Sequence, residues 1–161
     1  MENLFDYTRE QYEHVCQSRE VLFNYCRMID AAHMILENSS FGRGGSIRNL
    51  LVHVANTYEY WIGECALHRS ISFTPYSSIK SMDEIDCLFI VIDKMMYAFI
   101  ETFKDPQVSQ VSYNLNGLEE SAGAFKLFTH VITHEFHHKG QILSISRHLG
   151  YTPVDTDIMR Y

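Results

Sequence analysis

The sequence predicts an all-α protein, a four-helix bundle. Three observations carry this expectation. Apolar residues recur at intervals of three, four and seven through long stretches, which is the spacing of one helical face. The stretches are separated by breaks rich in Asn, Ser, Gly and Pro. No strand pattern alternates with the helices as in a βαβ unit, so the apolar stripes have only one another to pack against.

The first helix is expected from about Asn3 to Glu37, with Phe5, Tyr12, Val15, Leu22, Cys26 and Ile29 on its stripe. Asn38-Ser39-Ser40-Phe41-Gly42-Arg43-Gly44-Gly45 ends it. Ser46 suits the N-cap of a second helix, Ile47 to about Arg69, because its hydroxyl can accept from the open N–H groups of the first turn. Pro75 and Ser77-Ser78 mark the next loop. Ser81-Met82-Asp83-Glu84 has the form of a capping box with acids in the first turn. It starts a third helix that runs to about Phe103 and stops before Pro106. Residues 105–120 read as a loop, with a short extended piece over 108–113. Ser121 is expected to cap the fourth helix, which ends at Leu149 with Gly150 as the C′ residue. The tail, residues 151–161, is expected to pack on the bundle. The first break is long enough for an antiparallel or a crossing connection, and composition does not choose between them.

With 161 residues, the chain is expected to form one domain over 1–161. Twenty acidic against thirteen basic residues give a formal charge of −7, and no Lys/Arg run occurs. That balance argues against nucleic acid as a partner. The four cysteines, Cys16, Cys26, Cys65 and Cys87, form no C-x-x-C pair and read as thiols of a reducing cytoplasm. The N-terminus lacks a basic segment followed by an apolar one, so no signal peptide is expected. Apolar runs such as Cys87–Ile92 fall far short of the roughly 20 residues of a membrane span.

Nine histidines are present, and four of them, His130, His134, His137 and His138, lie close together in the fourth helix. At 100° per residue they fall at about 0°, 40°, 340° and 80°, one face of about 100° that also holds Gln141 at about 20°. His130/His134 and His134/His138 are both i, i+4 pairs whose rings can reach one ion. Read literally, His134-Glu135-Phe136-His137-His138 satisfies H-E-x-x-H, the zinc-protease pattern. The rest of that pattern is missing. Gln141 stands where the longer form wants Gly, Ser144 where it wants His, and no Glu follows Glu135. A third ligand must come from elsewhere: Asp155 and Asp157 are possible but lie beyond the helix end, and His53, between Val52 and Val54 in the second helix, is the best candidate.

These segments resemble a known family. Ser46–Trp61, SIRNLLVHVANTYEYW, is similar to the second helix of the DinB-like (YfiT-like) family of metal-dependent enzymes. THVITHEFHHKGQI, residues 129–142, is similar to that family's fourth helix, with H-x-x-x-H followed by a basic residue, Gly and Gln. The ending LGYTPVDTDIMRY resembles the family's too. The resemblance implies a bundle with one long crossing connection, usually a homodimer, and zinc or nickel held by His53, His134 and His138. It leaves His130 and His137 as neighbours of the site. Lys139 stands where Arg is commoner, and Gly140 suits a close helix approach.

Three neutral imidazoles leave coordination positions open, so that a bound metal can acidify a water or a thiol. The first expectation is a transferase acting on a small-molecule substrate with a low-molecular-weight thiol, in the manner of thiol-dependent enzymes that the family resembles in fold. The second is a hydrolase with Glu135 as general base, the alternative for Glu135 being a solvated helix glutamate. The third is a metal-binding homodimer without turnover. Asn56 and Tyr60 fall nearly on the face of His53 and are expected to line a pocket. The wider set of aromatics, with Trp61, Phe125, Phe128 and Phe136, reads as core or dimer interface.

Overall fold

The computed structural model describes residues 4–41, 45–104 and 109–160. Asn3, Gly42-Arg43-Gly44, Pro106, Val108 and Tyr161, and the side chain of Phe5, lie outside the described residues. Helix α1 spans Leu4–Cys26 and buries Tyr12, Val15, Leu22 and Cys26, the expected stripe. It does not reach Glu37. The N–H groups of Met28 and Ile29 turn back to Tyr25 and Cys26, and Asp30 then caps a separate short helix α2, Ala31–Met34, by accepting from Ala32. An Asp that satisfies an open N–H in this way starts a new helix more readily than it continues an old one.

Helix α3, Ile47–Tyr58, starts at Ser46, whose hydroxyl accepts from Asn49 N–H. It continues as a π-helical segment, Glu59–Ala66, so the second helix ends slightly before the expected Arg69. Helix α4, Met82–Thr102, has both bonds of the expected capping box between Ser81 and Glu84. A β-hairpin follows, β1 (Gln110–Leu115) and β2 (Leu118–Gly123), antiparallel with Leu115 opposite Leu118. Helix α5, Ala124–His148, closes the chain. Ser121 lies in β2, so it does not cap α5; Gly123 is the N-cap residue and makes no side-chain bond. Gly150 takes φ +92°, the left-handed geometry of a C′ glycine.

Helix α1 packs against α4 and α5, and α3 packs against the same two. Helices α1 and α3 therefore face each other across the bundle diagonal, and the connection between them crosses the bundle. One apolar cluster fills the centre, with Tyr12, Leu22, Leu50, Tyr58, Ile62, Met96 and Phe128 among its buried members. The tail packs as expected: Tyr151 Oη accepts from Asp30 N–H at 3.0 Å, and the Thr156 carbonyl accepts from Ser18 Oγ. Among the described residues no helix is long and apolar enough to cross a membrane.

Candidate metal centre

The diagonal arrangement sets α3 and α5 side by side, and this is what brings His53 to the histidine face of α5. His53 sits mid-helix, with its own carbonyl accepting from Thr57 Oγ1 at 2.8 Å. Its ring lies 5.0 Å from that of His134 and 4.8 Å from that of His138, centre to centre. The rings of His134 and His138, one turn apart on α5, are 4.4 Å apart. One ring nitrogen from each of the three lies within 4.8 Å of the other two. Tetrahedral imidazole nitrogens at about 2.0–2.1 Å from an ion stand roughly 3.4 Å apart, so nitrogens spread over up to 4.8 Å would hold an ion once the rings close in by about an ångström.

The protonation state fits such a role. Burial first, then the neighbouring imidazoles of His138, His53, His130 and His137, push His134 down to about 3. Burial also lowers His138, against a partly opposing hydrogen bond from Gln141. Both rings are therefore neutral at ordinary pH, the form that offers a lone pair. His138 Nε2 and His134 Nε2 approach to 3.1 Å, which requires a proton or a cation between them.

Gln141 fixes the pattern further out. Its Oε1 can only accept, so the 2.7 Å contact with His138 Nδ1 places the proton on Nδ1 and leaves Nε2 bare. Its Nε2 donates to His137 Nε2 at 3.0 Å. His134 has no equivalent support, since its Nδ1 is buried without a hydrogen-bond partner. Packing against the rings of His53 and His138 holds that ring instead. His130 and His137 stay exposed, their rings 5.9 Å from His134 and 4.9 Å from His138. Burial lowers His130 as well.

Glu135 is not a solvated helix glutamate. It is 2% exposed and lies on the inner face of α5. Arg19 Nε and a terminal guanidinium nitrogen donate to its two oxygens at 3.0 Å each, and Tyr58 Oη donates at 2.7 Å. Lys139 Nζ stands 3.4 Å away and also donates to Ser18 Oγ at 2.7 Å. The other face of Arg19 binds Asp93 at 2.6 Å, and Tyr12 Oη donates to the same Asp93 oxygen. Two cations thus balance two carboxylates. Burial alone would raise the Glu135 carboxyl, but Arg19, Lys139 and the bonds from Arg19 and Tyr58 outweigh it and hold it below its ordinary value.

The expected pocket residues are placed differently. Asn56 donates to the Thr74 carbonyl at 3.0 Å and accepts from Thr74 N–H at 3.1 Å, so it clamps the loop after the π segment. Tyr60 leans on Trp61 and Phe73. Trp61 is the residue whose ring packs on the histidine face, 5.3 Å from His130. A π-helical turn holds more residues than an α-turn, so the side chains after Tyr58 fall behind their α-helical wheel positions. Gly140 is exposed and nothing lies within 4 Å of a Cβ added there, so it makes no close helix approach.

The chain is thus a helical bundle with a diagonal crossover, in which three histidines from two helices converge and could hold a metal ion. The family is shown by the DinB family model, which matches residues 1–161, and the chain belongs to the DinB family. A comparison with curated proteins found no match.

Proposed function

We propose that this protein is a metal-dependent enzyme in which His53, His134 and His138 bind one divalent ion, zinc or nickel, through a ring nitrogen each. The convergence of those nitrogens within 4.8 Å is the observation that carries the reading. Imidazole suits either metal. When bound, such an ion with open positions supplies Lewis acidity to a water, a thiol or a carbonyl. The chain's own residues supply the rest: burial keeps His134 and His138 neutral, and Gln141 orients His138.

The reaction class proposed is group transfer with a low-molecular-weight thiol as nucleophile. The position of Glu135 supports it over hydrolysis. A general base must be free to take a proton at the reacting atom. Glu135 is fully engaged by Arg19, Tyr58 and Lys139, and its lowered value makes it a weak base. Its role in this reading is to hold α5 against α1 and α3.

Titration of the nickel- or cobalt-loaded protein with a small thiol tests this. A sulfur-to-metal charge-transfer absorption is expected, saturating with thiol and absent in His53→Ala. A loaded protein that shows no such band with any small thiol would leave the hydrolase and non-catalytic readings.

A further inference from the structure

Next to the three histidines lies a group of rings that the proposed chemistry does not use. Trp61 from the π segment, Tyr113 from β1 and His130 from α5 meet edge to face. The Trp61 ring is 5.5 Å from Tyr113 at 85° and 5.3 Å from His130 at 78°. The His130 ring is in turn 5.9 Å from His134. None of the three is fully buried: His130 is exposed, and Trp61 and Tyr113 are half-buried. The bundle core takes its aromatic side chains inward, as with Tyr12, Tyr58 and Phe128. These rings instead form a wall that is open to solvent and ends at a candidate metal ligand.

We infer that Trp61, Tyr113 and His130 form a subsite for a planar, apolar ring of the substrate, held beside the group that reaches the metal. The inference rests on the metal reading of His53, His134 and His138. Tyr60 also packs on Trp61 at 5.0 Å, but Trp61 and Tyr113 stay half-buried and His130 exposed, which leaves ring surface to bind a further ring in offset or edge-to-face contact. The three residues come from three different elements, so the spacing is set by the fold and not by one flexible loop. The substrate class is therefore a molecule with a metal-reaching polar head and an aromatic or similarly flat body.

Two chelators with the same head separate the terms: benzohydroxamate, which carries a phenyl ring, and acetohydroxamate, which carries a methyl. Calorimetry on the zinc- or nickel-loaded protein gives both affinities. Ring contact and buried ring area should favour benzohydroxamate by about tenfold, or about 1.4 kcal/mol. In His130→Ala and Trp61→Leu that preference should fall to about threefold or less, with metal content and acetohydroxamate affinity unchanged. His130 is exposed, so its variant does not depend on repacking the core. Trp61 is the chain's one tryptophan, so wild-type fluorescence should also change more with benzohydroxamate than with acetohydroxamate. Equal affinities in the wild type, or a preference kept in both variants, would overturn the subsite and leave the metal site standing. A change of oligomeric state in His130→Ala would mark the wall as an interface and overturn it too. Absence of bound metal would remove both inferences together.

Discussion

Gln141 connects His137 to His138 and so decides which nitrogen of His138 is bare. Partners of this kind orient a ligand ring and typically change metal affinity by about 10–100-fold. Gln141→Leu should therefore bind the same amount of metal about tenfold or more weakly, as read by chelator competition; unchanged affinity would contradict the role. Arg19 and Glu135 make a buried pair of a different kind. Removing one partner strands a charge, so Glu135→Gln should lose about 3–5 kcal/mol of stability in urea unfolding. The pH dependence has a definite sign. The folded Glu135 carboxyl lies below its ordinary value, so its contribution is complete above about pH 4.3 and is lost as pH falls through the folded value. His134 acts in the same direction, since between about 6.5 and about 3 the unfolded chain binds a proton that the fold refuses. Metal-free wild type should thus lose stability on acidification more steeply below about pH 4.3 than Glu135→Gln does. The signal for this network was present in the sequence. Arg19 sits on the α1 stripe between Val15 and Leu22, and Glu135 and Lys139 lie on the α5 stripe between Val131 and Ile142. Charged residues on an apolar stripe need partners, and two stripes carrying opposite charges can satisfy each other.

Element boundaries were legible where a side chain closes a local bond. Ser46, the Ser81–Glu84 box and Gly150 all behave as their residue types require. The hairpin was legible only in part. Asn116-Gly117, with φ of +55° and +83°, is the two-residue turn that joins β1 to β2, and Asn-Gly between apolar residues is a strong hairpin signal. Read as loop, the segment led to Ser121 as a helix cap. The π segment had no comparable local signal in the sequence. Its Gly63 is closely packed: an added Cβ would stand 2.8 Å from Met95 Sδ and 2.9 Å from Ile71 Cδ1. In Gly63→Ala the flexible ends of Met95 and Ile71 must give way, which offsets the helix gain of about 1 kcal/mol, so the variant should be near neutral or destabilised by about 1 kcal/mol. Gly140→Ala, on an open face of α5, should stabilise by up to about 1 kcal/mol. Thermal or urea unfolding of the two variants gives the comparison, and equal shifts would contradict the packing account.

At the scale of the molecule, the bundle architecture followed from helical periodicity, whereas the pairing of α3 with α5 did not. Several helix orders satisfy the same stripes, and only the crossing connection places His53 against His134 and His138. The resemblance of two motifs supplied what the periodicity left open, and the match of the DinB family model over 1–161 agrees with it. The central claim is one metal ion held by three named histidines. Its most direct test is elemental analysis of protein purified without a histidine tag, comparing wild type with His53→Ala, His134→Ala, His138→Ala and His137→Ala. The account predicts about one zinc or nickel per chain, lost in the first three variants and kept in His137→Ala. A wild type that takes up neither metal, or a His53→Ala variant that retains it, would contradict the claim.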